Sequence, residues 1–336
     1  MIVSGSAPES IAQAALALRS GELVGLPSET VYGLGADAAS DSAVAKVFAA
    51  KGRPVNHPLI VHVADETGVD YFAHAVPDFA RKLIQVFWPG PLTLILKRRP
   101  EVGAAAAGGQ DSIGLRCPSH PLAHALLLAC RELGVQGVAA PSANQFGRVS
   151  PTTAEHVQDE FGDGLLILDG GACQIGIEST IIDCTRGVPV LLRPGGITRE
   201  QVQSSCGMRL LSQDELMDAA PRASGTLEAH YAPQAKLRLM DREALLTAHQ
   251  LLLQSETGTM ALSPAIAIYS RVKLPTHSPR VLYRPMPETA AAAAHELFAV
   301  LREFDAQGVK LLWIEILPEG SEWEGVRDRL QRAAAY

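Results

Sequence analysis

Residues 51–63, KGRPVNHPLIVHV, constrain the fold of this chain more than any other segment. Gly52, Pro54 and Pro58 stop a helix and fix the entry into a short strand. In that strand Leu59, Val61 and Val63 alternate with Ile60 and His62. A period of two therefore turns His62 to the face opposite the three apolar residues. A loop stiffened this way can hold Lys51 and Arg53 rigidly against an anion. Taken alone, a solvated basic loop beside a buried histidine explains the segment better, so its meaning depends on what surrounds it.

The first half alternates helical and strand patterns. Residues 8–20 begin with Pro8, carry Ile11, Ala14, Ala15 and Leu18 on one face and stop before Gly21, as a helix does. Ser40 or Asp41 caps a helix through Ala50 with Val44, Val47 and Phe48 on its apolar side. Strands are predicted at 23–26, 59–63, 92–97, 112–116, 137–140, 165–168, 179–183 and 189–192, and helices at 78–87, 120–133, 152–160 and 198–205. The strands between 165 and 192 are not all separated by helices, which predicts a mixed sheet. The pattern breaks over 210–235, where 221–233 holds Pro, Ser, Gly and Thr and no core period, as a linker does. A second βα series follows, with strands near 236–240, 265–269 and 310–317 and helices at 242–254, 288–306 and 322–334. The chain thus divides into a domain over 1–209, a linker over 210–235 and a small three-layer α/β domain over 236–336. A length of 336 residues fits two domains.

Charge narrows the choice of partner. The net charge is −7, with 16 basic against 20 acidic residues before position 210 and 13 against 16 after it. Neither half has the basic excess of a nucleic-acid surface, so functional cations must be concentrated locally, and a small anionic ligand fits better than a polyanion. No apolar run approaches the roughly 18 residues of a membrane span. The first ten residues, MIVSGSAPES, lack a charged leader and apolar stretch. Five cysteines without a CxxC pair predict reduced thiols in the cytoplasm, with neither a disulfide frame nor a zinc site.

Familiar fingerprints are missing: there is no GxxxxGK[ST] loop, no GxSxG elbow, and residues 33–38, GLGADA, miss the GxGxxG spacing. What recurs instead is a hydroxyl, amide or cation at the carboxyl end of a predicted strand. Thr30, Arg116, the run APSAN at 140–144 with Ser150 beyond it, Ser179 with Thr180, and Arg193 all belong to this set. Each alone has a plain explanation as a turn residue or a surface ion pair. Together they suit one cleft, because ligands of open α/β sheets bind at strand ends.

Seven ordered motifs, SETVYGLG, KGRPxxHPLIVHV, FWPGPLTLIL, GLRCP, APSANxFGxxSPT, IESTIID and LLRPGGI, span 27–197 and resemble the threonylcarbamoyl-AMP synthases with their YrdC-like domain. The segment AHYAP at 229–233, followed by an α/β tail, is similar to the long, two-domain form of that family. The resemblance implies a twisted mixed-sheet YrdC-like domain followed by a smaller three-layer Rossmann-like α/β domain, with the linker folding over the active site. It implies a nucleotidyltransferase that turns L-threonine, bicarbonate and ATP into L-threonylcarbamoyladenylate and pyrophosphate. That product supplies N6-threonylcarbamoyladenosine at position 37 of tRNA through downstream threonylcarbamoyl-transferase proteins. Direct tRNA binding stays open.

Carried over to this sequence, Lys51 and Arg53 hold the triphosphate and carry the catalysis, with Ser142 and Ser150 adding hydroxyl contacts. His57, Ser112, Arg193 and Tyr231 complete the ATP set, and Asn144 keeps its loop in shape. Arg116 takes the threonine carboxylate, as a guanidinium fork does well. Thr30, His62, Ala140 and Thr180 complete the threonine pocket. No nucleophilic side chain is implied, so catalysis rests on proximity and electrostatics, with His62 the candidate base. Mg²⁺ is expected on the ATP phosphates, and no metal ligands are assigned to the protein.

Three positions depart from the pattern. His57 stands where many relatives carry asparagine. Residues 224–231 lack the basic residues expected before the His-Tyr pair and hold Glu228 instead. The carboxy-terminal domain carries no chemical motif. Two other readings compete. One is a non-catalytic protein binding structured RNA, against which the acidic balance argues. The other is a carbamoyl transferase acting on a protein thiol, which would bring the cysteine pairs absent here.

Overall fold

The computed structural model describes residues 1–216, 220–226, 230–255, 266–274 and 281–335. It forms two compact units, Met1–Phe146 with Ser150–Thr226, and Gly147–Val149 with Leu227–Tyr336. The predicted linker is thereby shared: 220–226 packs in the first unit and 230–235 belongs to the second. Glu228 lies outside the described residues, as does Ala265 at the start of one predicted strand.

In chain order the first unit contains β1 (Ile2–Ser4), α1 (Pro8–Arg19), β2 (Val24–Leu26), β3 (Gly33–Asp37), α2 (Asp41–Lys51), β4 (Ile60–His62), α3 (Glu66–Phe72) and α4 (Asp78–Phe87). It continues with β5 (Leu92–Lys97), β6 (Ser112–Arg116), α5 (Pro121–Glu132), β7 (Val138–Ala139), α6 (Ala154–Phe161) and β8 (Leu166–Asp169). β9 (Thr180–Asp183), β10 (Val190–Arg193), α7 (Arg199–Cys206) and β11 (Leu211–Ser212) complete it. The strands form an 11-stranded sheet in the order β1-β8-β2-β3-β7-β4-β6-β5-β9-β10-β11. Pairing is mixed: β4 runs parallel to β6 and antiparallel to β7, and β5 runs parallel to β9 and antiparallel to β6.

Local chemistry sets the boundaries that matter for the site. Ser40 caps α2 by accepting the Ala43 amide, and Gly52 ends the helix in the left-handed region at φ 61°, which glycine adopts without strain. Lys51 is therefore the last helical residue and Arg53 the first firmly outside. Strand alternation then divides the sheet. Val61, Val63, Leu94, Leu96, Leu115 and Ile182 enter the main core with Val44, Val47 and Phe48 of α2 and Leu83 and Ile84 of α4. Each fully buried aliphatic side chain contributes about 1.5–3 kcal/mol. Ile60, Ile95, Ile181 and Leu192 turn the other way and form a second, shallower apolar face. His62 shares that face with Ile60, as the period of two requires.

The second unit contains β12 (Lys236–Met240), α8 (Arg242–Ser255), β13 (Ile266–Ser270), β14 (Val281–Pro285), α9 (Ala290–Ala306), β15 (Leu311–Glu315) and α10 (Glu324–Ala334). Its four strands are all parallel, in the order β12-β15-β13-β14. The α8 crossover moves two places one way and the α9 crossover two places back. With right-handed crossovers this puts the two helices on opposite faces, the arrangement of a three-layer domain. The strand β14 is missing from the expectations. It is a half-exposed edge strand ending in Arg284 and Pro285, so it carries neither a buried run nor clean alternation.

Candidate active site

The register of β4 against β6 builds the first half of the site. Ile60 faces Gly114 and His62 faces Arg116. Arg116 is 4% exposed and fully engaged. Its Nη1 donates to Thr30 Oγ1 at 2.8 Å, its Nε to the Gly90 carbonyl at 3.3 Å, and its Nη2 lies 2.7 Å from Glu29 Oε1. The Glu29 contact is close but poorly aligned for a hydrogen bond. Thr30 is held in turn by Ser28, whose hydroxyl lies 2.9 Å away and also donates to the Val31 carbonyl. Burial raises the Glu29 carboxyl, but the Arg116 guanidinium and main-chain hydrogen bonds together hold the group below its ordinary value. Thr30, Glu29, His62 and Arg116 thus form one buried cluster, and Ala140 joins its edge by donating its amide to the Ile60 carbonyl at 3.0 Å.

Burial, reinforced by Arg116, pushes His62 down to about 3, so its imidazole is neutral at physiological pH. Burial also lowers His120, and burial with Arg53 and Arg222 lowers His57. The unfolded chain then binds more protons than the folded one as pH falls below about 6.5, and stability declines. For His62 alone the slope is about 1.4 kcal/mol per pH unit. Urea unfolding between pH 6.5 and 4.5 is expected to lose about 2–3 kcal/mol through His62, in a window above the carboxylate range. His62→Gln is expected to flatten that dependence.

The second half gathers cations over the apolar face. Arg53, 7% exposed, donates from Nη2 to the Pro58 carbonyl at 2.9 Å and to Ser224 Oγ at 3.0 Å. Arg193 reaches the same residue from β10, donating from Nη1 to the Ser224 carbonyl at 2.8 Å. Its other nitrogens hold Ser179, Nε on the carbonyl and Nη2 on Oγ, both at 3.1 Å. Two buried guanidiniums therefore converge on one linker residue. Beside it, Ala223 packs on Ile60, Ile95, Ile181 and Leu192. A crevice of only about 10 Å³ remains between this segment and the strand residues Ser112 and Gly114. Gln110 secures the segment by accepting the Arg222 amide and donating to the Arg222 carbonyl.

Lys51 is buried, and its Nζ donates to the Ser142 carbonyl at 2.6 Å and to the Asn144 carbonyl. Burial, then the nearby Arg53 charge, lowers its ammonium well below the usual range. In this geometry Lys51 ties the 142–144 loop to the end of α2. Ser150 donates to the buried Glu178 carboxylate, and the Thr180 hydroxyl both donates to and accepts from the main chain of Ile197. His57 sets its ring edge-on to Phe146, which also lies under Arg53. Tyr231 is buried in the second unit, stacked on Phe298 with Arg329 over its ring.

Gly195 lets this half close. A Cβ there would lie 2.4 Å from the Thr180 nitrogen and 2.8 Å from the Glu178 carbonyl oxygen, both main chain. Gly195→Ala is expected to cost about 2–3 kcal/mol in thermal or urea unfolding and to loosen Ser179 beneath Arg193.

Several residues of this cluster escaped the sequence reading. Glu29 and Glu178 sit inside recognised motifs, but their partners are far away in sequence. Ser179 was noted beside Thr180 without a role. Arg222 and Ser224 lie in a segment read only as linker. A carboxylate between two hydroxyl residues just past a buried strand was the signal available for Glu29.

The fold and site define a YrdC-like α/β protein with buried cations gathered on one sheet face. The comparisons name the family more closely. The model of the Sua5, YciO and YrdC proteins, described as telomere recombination, matches residues 16–195, and that of the threonylcarbamoyl-AMP synthase C-terminal domain matches 197–335. A threonylcarbamoyl-AMP synthase of Bacillus subtilis is 39% identical, covering 96% of this chain and 92% of its own length. One of Pyrococcus abyssi is 38% identical, with 95% and 92% covered. The crystal structure of P. abyssi Sua5 complexed with L-threonine superposes with a TM-score of 0.86 at 35% identity, covering 100% of this chain and 98% of that one. The chain belongs to the threonylcarbamoyl-AMP synthase family, in its two-domain form.

Proposed function

We propose that this protein joins L-threonine, bicarbonate and ATP into L-threonylcarbamoyladenylate and pyrophosphate. The observation that carries this reading is the pairing of two clusters on one sheet face. Arg53 and Arg193 converge on Ser224, and the buried Arg116, Thr30, Glu29 and His62 lie along the neighbouring strands. The first cluster suits a polyphosphate and the second an amino acid.

In this reading the Ser224 oxygens mark where phosphate oxygens bind, and the segment 221–226 withdraws from the floor when ATP enters. Arg53 and Arg193 then offset the charge that builds on the leaving pyrophosphate. Ser112, Ser142 and Ser150 contribute hydroxyls, Lys51 holds the 142–144 loop against the phosphates, and His57 borders the cation pair. Tyr231, an ATP contact in the sequence reading, packs on Phe298 in the second unit. Arg116 presents its guanidinium to the threonine carboxylate, fixed in place by Glu29, Thr30 and the Gly90 carbonyl. Thr180 and the Ala140 main chain shape the pocket wall.

The threonine amine condenses with bicarbonate to a carbamate, losing one water, and a carbamate oxygen attacks the α-phosphorus. The α-phosphorus–oxygen bond to pyrophosphate breaks as the new one forms. In this geometry His62 lines the threonine pocket as a neutral imidazole, held by burial and Arg116 too low to serve as the base for the amine. Proximity and charge compensation supply the remaining acceleration. In this reading Mg²⁺ would be carried on ATP phosphate oxygens and water. The adenylate passes to transferase proteins that modify adenosine 37 of tRNA. All five cysteines are free and buried, as a cytoplasmic protein's are, and no helix among the described residues is long and apolar enough to cross a membrane.

Pyrophosphate release from ATP tests the reading, with threonine and bicarbonate omitted in turn. Dependence on both is expected. Release indifferent to threonine, or salt-sensitive RNA binding without release, would favour the RNA-binding alternative or another substrate.

A further inference from the structure

We infer that the second unit carries its own binding site for a compact phosphate-bearing molecule, in the cleft at the carboxyl ends of β12, β13 and β15. This cleft has a volume of about 670 Å³ and is lined by Arg242, Arg271 and Lys273 with Glu288 and Glu315. That size suits a mononucleotide or a sugar phosphate. Its position is the place where open parallel sheets bind ligands, at the strand ends. Nothing in the active site uses these residues.

The charge arrangement points to an anion. Glu315 spends its carboxylate on the protein: Oε2 accepts the amides of Arg271 and Val272 at 2.7 and 3.1 Å, and Oε1 accepts Arg271 Nη2 at 2.7 Å. Glu315 thereby fixes the turn after β13 and the guanidinium at the cleft wall, with Trp323 stacked against it. Arg271 Nε makes no hydrogen bond. Arg242 opens α8 and Lys273 leaves the β13 turn, both exposed, with Glu288 the remaining carboxylate on the wall. The positive end of a 14-residue helix and two exposed cations around an anchored guanidinium suit a phosphate group. Leu246 and Val272 add the apolar wall against which the rest of the molecule rests.

The test is calorimetric titration of AMP into the full-length chain. Two classes of site are expected, one weakened by Arg53→Ala and the other by Arg242→Ser combined with Lys273→Ser. The double substitution is expected to weaken its site at least about tenfold, equivalent to about 1.4 kcal/mol. The charge-retaining pair Arg242→Lys and Lys273→Arg is expected to keep most of the affinity, and circular dichroism to show unchanged folding. Displacement of AMP from this site by inorganic pyrophosphate and not by adenosine supports recognition through phosphate. A single class of site, a second class indifferent to the double substitution, or displacement by adenosine alone would overturn the inference. An Arg53→Ala variant with both classes intact would instead count against the active-site reading alone.

Discussion

Arg116→Ala is expected to destabilise the protein by about 3–5 kcal/mol in urea unfolding, beyond its effect on threonine use. The reason is Glu29. Both side chains are buried, and the carboxylate is kept ionised by the guanidinium 2.7 Å away. Removing the cation leaves an unpaired charge in the core and also strips Thr30 of its donor. Replacing both members by alanine is expected to recover a large part of that loss, because it removes the stranded charge. Glu29→Gln is expected to cost less than Arg116→Ala, since a neutral amide can still meet the guanidinium. If Arg116→Ala and the double variant unfold alike, with losses near 1 kcal/mol, the pair is no more than a weak ion pair. A simple alanine scan for threonine binding would confound the two effects, so the threonine requirement is best read from Arg116→Lys.

The second large effect concerns Arg193. This residue joins β9 to the linker by holding the Ser179 carbonyl, the Ser179 hydroxyl and the Ser224 carbonyl together. In the proposed turnover it would exchange the linker carbonyl for phosphate. Charge-assisted hydrogen bonds contribute about 1.5–3 kcal/mol each. Arg193→Ala is therefore expected to lower kcat/KM for ATP by about 100-fold, with the threonine requirement changed far less. Arg193→Lys keeps the charge but not the fork and is expected to recover only part of the loss. Equal losses for ATP and threonine would contradict the division of the site into two halves.

Much of this was legible because strand period and stop signals are local. Residues 59–63 placed His62 on the face opposite Val61 from alternation alone, and Gly52 and Pro54 marked where α2 ends. The mixed sheet followed from strands packed too closely for helices to intervene. Long-range partners were not legible. Nothing near Arg116 in the sequence announces Glu29, and nothing near Arg53 announces Ser224, because the sheet order rather than the chain brings them together. Residues 33–37 were read as a failed nucleotide loop, yet their glycines let β3 pass between β2 and β7.

The decisive event in the proposed reaction is attack of a carbamate oxygen on the α-phosphorus across the face shared by the two clusters. Turnover in freshly prepared ¹⁸O-labelled bicarbonate, with mass analysis of the AMP left when the adenylate decomposes, follows that oxygen directly. One heavy oxygen in the AMP is the predicted result, since the carbamate oxygen stays on phosphorus when the acyl side breaks away. Unlabelled AMP, or ADP in place of pyrophosphate as the co-product, would contradict it.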